Sequence, residues 1–529
     1  MAKSDAGYRT SPPCENSQLD LILAVDLGSS SVRASAYLLN GTRLEETTEY
    51  RNTDQSVEGT FDPHVLTDLT EEVISDCLAR VRDVTNSAHF VAAAWTSFAM
   101  SWLGVESSGQ PVTPVYTYSD ALSGPFADSL RQELLQQGKL DVAWQRTGAP
   151  IHTAYAPAQL LRLAAEEPDL INQVTCWQTL AASLFARWRG QPRAPVSNSE
   201  VGWTGMLNRR NLTWDEELVR RVGVDPRHLP TISDYAQALV GLAEPWASKW
   251  PELAKTPFFL AVGDGAGANL GSGCSDNTRI ALTIGTTGAM RVVLPNESQH
   301  GEHSPGEAGM LHVPAGLWSY PIDSNRWLVG GSLTDGGSLF SWLHENLAVD
   351  DTDALLAAAA GIPSGAHGLT ILPFLRGERA PGWATEAALT ISGISPATTA
   401  AHIFRAAFEA VALRFRLIYD RLRPLLPPNT EIVASGGALH ENRLWRQILA
   451  DVLQAPVHLI DVDEATSRGA AILALQALGF PLPPDPPTVH TALPDREAGA
   501  IYAHALSRQQ ELYDRVIGST QLQQVELPG

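Results

Sequence analysis

The amino-acid sequence places one carboxylate directly before a turn of glycine and hydroxyl residues. Asp26 ends an apolar, β-rich run at 21–25, and a second apolar run at 32–39 leads away from the turn. This pattern predicts a β-hairpin whose tip can approach phosphate oxygens closely, because glycine and serine leave the backbone N–H groups unshielded. Asp26 could hold Mg²⁺ beside those phosphates. The candidate phosphate-binding residues at this tip are Gly28, Ser29, Ser30 and Ser31.

The same design occurs a second time, in the segment 280–294. An apolar run again meets a turn of small and hydroxyl residues, here Gly285, Thr286 and Thr287, and a further apolar run follows. Two phosphate-type hairpins far apart in one chain suggest a nucleotide held between two related halves.

A lone acid among glycines and alanines is the next candidate for chemistry. Asp264 follows the apolar run that ends at Gly263, and its small neighbours leave room for a substrate. In phosphoryl transfer the protein mainly positions groups, while a base accepts the hydroxyl proton. We therefore take Asp264 as the candidate base. The alternative is an N-cap on the helix that follows.

A strand, a Gly-Gly turn and a helix start are predicted around Gly436, Gly437 and Ala438. Two glycines let a flat ring lie against the backbone, and Asn442 could hydrogen-bond the edge of a purine. A helix-capping turn explains the same residues equally well.

The composition narrows the class of protein. The chain has 529 residues, so two large domains are expected. Its formal net charge of −21 argues against a nucleic-acid or anionic-membrane surface. The four cysteines form no C-x-x-C pair and no apolar run is long enough to span a membrane, so we expect a reduced, cytoplasmic protein. Residues 1–19 are polar and are predicted to be a disordered tail.

Hydrophobic periodicity predicts alternating strands and helices in both halves. Helical patterns also dominate from 124 to 190, and 481–487 is predicted to be a loop. Predicted strands are 21–26, 32–39, 44–52, 89–95, 102–106, 112–118, 279–284, 289–294, 317–322, 326–329 and 431–434. Predicted helices are 63–84, 337–346, 401–423, 442–453 and 500–517. The predicted inward face of the first of these helices consists of Val65, Leu69, Val73, Ile74, Cys77 and Leu78.

Taken together, these motifs resemble those of the FGGY carbohydrate kinase family. The resemblance rests on 26–33, 283–288, the Gly-Asp-Gly at 263–265, the Gly-Gly-Ala turn with Asn442, and Leu-Pro-Phe-Leu-Arg-Gly-Glu-Arg-Ala-Pro at 372–381. The motifs come in the family's order and cover roughly 20–520. The resemblance implies an α/β fold of two RNase H-like (actin-like ATPase) domains with a cleft between them, with a sugar-binding domain at 20–271 and an ATP-binding domain at 272–520.

The resemblance also implies roles for individual residues. Asp264 would be the catalytic base and Asp26 would help to place Mg²⁺, with ATP as co-substrate. Arg33 would face the transferring phosphate, although it could also be a surface residue, and Glu378 with Arg379 could be a structural ion pair. The residues implied to bind ATP or its phosphates are Gly28, Ser29, Ser30, Ser31, Arg33, Gly285, Thr286, Thr287, Gly337, Gly436, Gly437, Ala438 and Asn442.

The implied sugar site departs from the family pattern at several positions. Tyr118 replaces a tryptophan, and Gln159 replaces the lysine that follows the Thr-Gly-x-Pro-Ile-His motif at 147–152. An aromatic ring can stack on a sugar and an aspartate can accept two hydroxyl hydrogen bonds, but Tyr118 and His152 could equally be structural. The residues implied to contact the substrate are Met100, Ser101, Tyr118, Asp120, His152 and Asp264.

The pattern is most similar to the gluconokinase branch, which implies phosphorylation of gluconate to 6-phosphogluconate. A cationic residue in the cleft would favour gluconate over a neutral ketose, and the sequence alone does not identify one. The alternatives are a pentulose kinase of xylulokinase or ribulokinase type, and a nucleotide-binding scaffold without sugar chemistry. We also expect no nucleic-acid or membrane partner, and a possible homodimer.

Overall fold

The structure is a computed structural model that describes residues 18–53, 59–296, 311–347, 349 and 351–518. Most of the predicted tail, residues 1–17, therefore lies outside the described residues. We refer to the chain up to residue 271 as the N-terminal half and to the rest as the C-terminal half. No helix among the described residues combines the length and the hydropathy that crossing a membrane requires.

The N-terminal half alternates strands with helices as predicted. Its strands are β1 Leu19–Leu27, β2 Ser31–Leu38, β3 Glu49–Asn52, β4 Thr60–Phe61, β5 Ala88–Ser97, β6 Trp102–Val105, β7 Val115–Tyr116, β8 Cys176–Thr179, β9 Val196–Ser197, β10 Leu207–Asn208, β11 Thr213–Trp214, β12 Ile232–Ser233 and β13 Val262–Gly263. Its helices are α1 Pro63–Val84, α2 Gly124–Gln136, α3 Leu140–Thr147, α4 Ala156–Glu166, α5 Pro168–Ile171, α6 Leu180–Trp188, α7 Asn198–Trp203, α8 Glu216–Arg221, α9 Trp246–Lys249 and α10 Asp264–Gly271.

The C-terminal half has fewer but longer elements. Its strands are β14 Arg279–Ile284, β15 Gly288–Pro295, β16 Trp318–Pro321, β17 Arg326–Leu333, β18 Thr370–Leu372, β19 Thr390–Ser392, β20 Glu431–Ser435, β21 Val457–Ile460 and β22 Thr488–Ala492. Its helices are α11 Gly337–Asn346, α12 Thr352–Ala360, α13 Ala400–Leu422, α14 Gly437–Glu441, α15 Arg443–Leu453, α16 Ala465–Leu478 and α17 Arg496–Val516.

Each predicted hairpin forms the centre of a mixed sheet, and the two sheets share one strand order. In the N-terminal half the order is β3-β2-β1-β5-β13, with the first three strands antiparallel and the last two parallel to β1. In the C-terminal half β17-β15-β14-β20-β21 repeats this order and these directions, and β16 and β22 are added at the edges. The expectation of two related RNase H-like halves is confirmed.

Local signals explain why the predicted helix α1 is found at its predicted bounds. Asp62 caps it by accepting a 2.8 Å hydrogen bond from the His64 N–H, and Pro63 occupies the first helical position, where a missing N–H costs nothing. The buried stripe is centred on Leu66, Val73 and Ile74. The predicted inward position of Val65 is wrong, because it lies beside this stripe with its side chain exposed.

Other elements differ from their predicted ranges. The third strand is confined to β3, because Glu45–Thr47 form a 3₁₀ turn instead of extended backbone. Within 112–118 only β7 pairs as a strand. The last helix begins four residues earlier than predicted because Asp495 caps it, accepting hydrogen bonds from the Glu497 and Ala498 N–H groups.

The two halves meet where helix α10 crosses helix α16 at backbone contact distance. A Cβ atom on Gly469 would lie 1.9 Å from the carbonyl oxygen of Gly267, and one on Gly271 would lie 1.7 Å from that of Ala465. Only glycine permits this approach. Side chains of one half also hydrogen-bond the backbone of the other. For example, Trp144 Nε1 of the N-terminal half donates a 2.9 Å hydrogen bond to the Leu317 carbonyl of the C-terminal half.

We expect Gly469→Ala to lower the free energy of unfolding by about 1–3 kcal/mol, because the added methyl group must force the two helices apart. Gly361→Ala is the matched control: Gly361 ends α12 at φ −72° with ordinary contacts, so alanine fits there. Urea unfolding followed by tryptophan fluorescence measures both. Equal midpoints for the two variants would contradict the close crossing.

Candidate functional site

Strand register brings the two candidate carboxylates to one edge of the N-terminal sheet. Asp26 of β1 lies opposite Thr96 of β5, Thr96 lies opposite Val262 of β13, and Asp264 follows β13 directly. Because β1, β5 and β13 are parallel, their carboxyl ends meet at the same edge. Two acids that are 238 residues apart in the sequence therefore lie close enough to influence each other's ionisation.

Asp26 is a buried carboxylate whose environment suits a cation. Its Oδ1 accepts a 2.8 Å hydrogen bond from Thr96 Oγ1. Burial raises its pKa to about 7, the hydrogen bond lowers it, and the charge of Asp264 raises it further. A bound divalent cation would offset the two effects that disfavour ionisation of Asp26, namely its burial and the charge of Asp264. The described residues contain no group of three or more His, Cys, Asp or Glu side chains able to hold a metal ion. Mg²⁺ would thus take its remaining ligands from phosphates and water, as it commonly does.

Asp264 begins helix α10 and also faces a cavity between the halves. Its Oδ1 accepts a 2.7 Å hydrogen bond from the Gly265 N–H. Asp264 therefore satisfies one backbone N–H of the first turn of α10, which is the function expected of a helix cap. The N-cap position itself is taken by Gly263. Burial raises the pKa of Asp264, and the nearby Arg291 guanidinium opposes this shift.

The cavity that Asp264 faces has a volume of about 100 Å³ and is walled by both halves. Four predicted site residues line it, namely Met100, Tyr118, Asp264 and Thr287. The rest of the wall is largely aromatic and includes two arginines that the sequence analysis did not assign to a binding site. The further lining residues include Tyr155, Trp203, Arg291, Trp318, Tyr320, Arg379 and Trp383. We call this space the small cavity.

A second, more open cavity of about 1200 Å³ lies in the C-terminal half, and we call it the large cavity. Apolar side chains such as Phe340, Phe408 and Trp445 line it, which suits a flat ring. Asn442 lines it and also caps α15, its Oδ1 accepting a 3.0 Å hydrogen bond from the Trp445 N–H. The predicted nucleotide residues in its wall are Gly285, Thr286, Gly337, Gly437, Ala438 and Asn442.

The tip of the second hairpin stands between the two cavities. Gly285 and Thr286 line the large cavity, whereas Thr287 lines the small one. The tip is fixed by helix α11, since the Gly336 and Gly337 N–H groups donate to the Thr286 and Gly285 carbonyls at 3.0 and 2.8 Å. Gly436, at φ +104°, makes the turn before α14 and is not part of either wall.

The first hairpin tip connects to the small cavity through a side chain. Ser29 Oγ lies 3.0 Å from the hydroxyl of Tyr118, which lines that cavity. Gly28 closes the turn through its N–H, which donates to the Ser31 carbonyl, and Ser30 is exposed. Arg33 does not lie free on the surface: its Nη1 is 3.2 Å from Glu464, just before α16 in the other half.

Three predicted substrate residues lie outside the wall of the small cavity. Asp120 accepts hydrogen bonds from the Leu122 and Ser123 N–H groups, which gives it a local capping role. Ser101 hydrogen-bonds Ser97 at 2.7 Å. His152 packs against Trp383, and burial together with nearby arginines lowers its pKa to about 3, so it is neutral at physiological pH. Their substrate roles stay predictions.

The predicted ion pair of Glu378 with Arg379 is wrong. Glu378 is buried and instead pairs with Arg414 of α13, and it accepts a 2.6 Å hydrogen bond from the Tyr513 hydroxyl. Arg379 turns the other way, and its guanidinium lies 4.6 Å from the centre of the Tyr118 ring. The error arises because partners distant in the sequence, Arg414 for Glu378 and Tyr118 for Arg379, determine where these two side chains lie.

Arg291 was missed although a signal for it exists in the sequence. In a strand alternate residues share one face, so Ala289 and Arg291 of β15 must point the same way. Both line the small cavity, as does Thr287 in the turn before the strand. The period of two in β15, counted from the predicted phosphate turn, would have identified this cationic residue.

Comparison of the sequence with models of known protein families identifies the family of this chain. The model of the FGGY carbohydrate kinase N-terminal domain matches residues 21–271, and that of the C-terminal domain matches 280–478. The chain belongs to the FGGY family of carbohydrate kinases. Kinases of this family use ATP as co-substrate.

Several relatives match this kinase over most of its length. The gluconokinase of Bacillus subtilis (strain 168) is 25% identical over 487 residues, covering 87% of this chain and 88% of that protein. A glycerol kinase of Geobacter sp. (strain M21) is 26% identical over 477 residues, covering 86% of this chain and 90% of that protein. These identities are nearly equal, so they leave the sugar open.

Solved structures show the same fold. A gluconate kinase from Lactobacillus acidophilus superposes with a TM-score of 0.83 at 23% identity, covering 95% of this chain and 99% of that one. A xylulose kinase from the same organism gives a TM-score of 0.82 at 24% identity, with the same coverage. The kinase therefore has the two-domain, actin-like architecture of the family.

Gln159, which stands where the resemblance suggests lysine, is fully buried and supports the sugar side of the kinase. Its Nε2 donates to the Thr117 carbonyl at 2.9 Å and to the Thr153 carbonyl at 3.3 Å, and its Oε1 accepts from Trp102 Nε1 at 3.1 Å. The amide thus ties the segments that carry Tyr118 and His152. A neutral residue suits this site, because a buried charge without a partner is costly.

We expect the metal-free, nucleotide-free kinase to lose stability relative to Asp26→Asn as pH rises from 5 to 8. The folded-state pKa of Asp26 is raised to about 7, above its unfolded value, so the native state holds the proton more tightly. Its stabilising contribution is present below pH 4 and is lost as pH rises through 7. The expected difference is about 2–3 kcal/mol. Thermal melts across this range measure it.

Asp68→Asn serves as the control, because Asp68 is exposed on α1. Its melting curve should follow that of the wild type at every pH. Parallel curves for Asp26→Asn and the wild type would show that Asp26 ionises normally.

Proposed function

We propose that this kinase transfers the γ-phosphoryl group of ATP to a primary hydroxyl of a small sugar acid, with gluconate as substrate and 6-phosphogluconate as product. The observation that carries this proposal is the position of Asp264 in the small cavity, beside a hairpin tip whose other side lines the large cavity. A sugar in the first space and ATP in the second would meet at that tip.

Asp264 is the proposed base. Its carboxylate would accept the proton of the primary hydroxyl as that oxygen attacks the phosphorus atom. The Arg291 guanidinium favours the ionised form that a base needs, and the Gly265 N–H holds one of its oxygens in place. Burial raises its basicity in the same site.

The phosphates would be held by the hairpin tips and by cations. Backbone N–H groups and threonine hydroxyls at Thr286 and Thr287 would contact the phosphates. Arg379 lies over the ring of Tyr118, whose hydroxyl is hydrogen-bonded to Ser29 at the first hairpin tip, so its charge is near that tip. Mg²⁺ held by Asp26 would screen the charge that develops on the phosphoryl oxygens. The cavity walls come from both halves, so closure of the halves would exclude water and limit ATP hydrolysis.

Gluconate is the proposed sugar for two reasons. The gluconokinases of Bacillus subtilis and Bacillus licheniformis are relatives over 87% of this chain, although at only 25% identity. The small cavity also contains two arginines, as an anionic substrate requires. A pentulose kinase is the second candidate, favoured by the fold shared with the xylulose kinase.

We expect Asp264→Asn to lower kcat by at least about 1000-fold and to leave ADP binding within threefold of the wild type. The amide keeps the shape and the hydrogen bond to Gly265 but cannot accept the proton. Sugar-dependent ADP release and calorimetric ADP titration measure the two quantities. Asp68→Asn is the matched surface control. Parallel loss of turnover and ADP binding would assign Asp264 to the fold instead of the chemistry.

We expect ADP release from Mg-ATP to be stimulated strongly by gluconate and weakly or not at all by D-xylulose, D- and L-ribulose, glycerol and erythritol. A coupled ADP assay over this panel decides between the candidates. Stimulation by a ketopentose would keep the mechanism and replace the substrate. ATP binding without stimulation by any of these compounds, or by other sugar acids, would favour a non-catalytic scaffold.

A further inference from the structure

We propose that Arg291 binds the carboxylate of the substrate and so makes this kinase selective for sugar acids over neutral sugars. The inference rests on the proposed function and names the residue that would determine its specificity. It depends on three observations: the contacts of Arg291, its place along β15, and the charge of the small cavity.

The guanidinium of Arg291 makes no hydrogen bond and no ion pair with any described residue. Its Nε is buried without a partner, and its stem lies over the start of α10, where a Cβ on Gly265 would be 3.3 Å from Nε. Its cross-strand neighbours are Ala281 on β14 and Gly330 on β17, which have no group able to pair with it. Asp264 is the charge that acts on Arg291, but no carboxylate of the described residues is bonded to its guanidinium, so its N–H donors remain for a ligand.

The place of Arg291 along β15 suits the far end of a linear substrate. Thr287, Ala289 and Arg291 line the small cavity in a row that starts at the phosphate hairpin. At about 3.3 Å per residue, the backbone of Arg291 is about 10 Å from that of Gly288, where the strand leaves the hairpin tip. A substrate whose primary hydroxyl is at the phosphate end would direct its opposite end toward this side chain.

The small cavity is cationic in a strongly acidic protein. Among the described side chains that line it, Asp264 is the one carboxylate, against the two arginines Arg291 and Arg379. The chain as a whole carries a formal net charge of −21. Arg379 lies over Tyr118, which contacts Ser29 of the first hairpin, so it belongs to the phosphate end. Arg291 is then the cation left for the substrate.

A carboxylate is the group that this arginine would recognise best. A guanidinium can hold the two oxygens of a carboxylate with two parallel, charge-assisted hydrogen bonds. A neutral alcohol or ketone would leave the guanidinium without a carboxylate bound to it. A site built around a buried polar group rejects ligands that cannot satisfy it more strongly than an apolar site does.

The test compares gluconate with gluconamide, a neutral analogue of the same length, in the coupled ADP assay. We expect Arg291→Gln to lower kcat/KM for gluconate by at least about tenfold more than kcat/KM for gluconamide, with the additional loss mainly in KM, because both substrates lose the charge that favours ionised Asp264 and only gluconate loses a carboxylate partner. Arg291→Lys keeps the positive charge but lacks the two parallel N–H donors of the guanidinium, so we expect kcat/KM for gluconate to fall by about tenfold. Arg227→Gln, at an arginine exposed on the surface, is the matched control.

The outcomes separate this inference from the proposed function. If the wild type phosphorylates gluconate but Arg291→Gln loses gluconate and gluconamide equally, the proposed function stands and the role of Arg291 is overturned. If another aldonate replaces gluconate and depends on Arg291 in the same way, the substrate changes and the inference stands. A wild type that uses neutral sugars and no sugar acid overturns both. Should Arg291→Gln not fold, the rise in KM of Arg291→Lys decides alone.

Discussion

The site depends on two buried carboxylates at one edge of the N-terminal sheet. The charge of Asp264 raises the cost of ionising Asp26, and burial raises the cost of ionisation for both. Such a pair is useful only if cations surround it. The structure supplies Arg33 on the neighbouring strand β2 for Asp26 and Arg291 on β15 of the other half for Asp264, and a bound divalent cation with its nucleotide would complete the balance.

The duplicated topology explains how the chain meets this requirement. Each half provides a hairpin whose tip follows an inner strand, and the two sheets repeat one order. The halves are in close contact at the glycine crossing of α10 and α16, and α10 is the helix that carries Asp264. The geometry of the base is therefore coupled to the packing between the halves.

Local signals in the sequence predicted the parts of the site that depend on local backbone. The hairpins, the helix start at Asp264 and the turn at Gly436 are each encoded by a few consecutive residues, and the predicted fold was confirmed. Partners distant in sequence were not predictable in this way. Glu378 pairs with Arg414, and Tyr118 reaches Ser29, because tertiary packing brings these segments together. The local hydrogen bonds of Asp120 and the packing of His152 against Trp383 were likewise not predictable in detail, and their substrate roles stay predictions.

The two hairpins each carry an arginine on their second strand, in different electrostatic settings, and this difference suggests a division of labour. Arg33 lies directly across from Asp26 in the β1–β2 register and also pairs with Glu464, so its charge is already matched within the protein. Arg291 lies two residue pairs farther from its hairpin tip, across from Ala281, and forms no ion pair with a described residue. A cation without a bonded partner is stabilised by the arrival of an anion. The first hairpin thus has its charge balanced by the fold, whereas the second leaves a charge for the substrate to balance, and its strand is the one that extends along the small cavity.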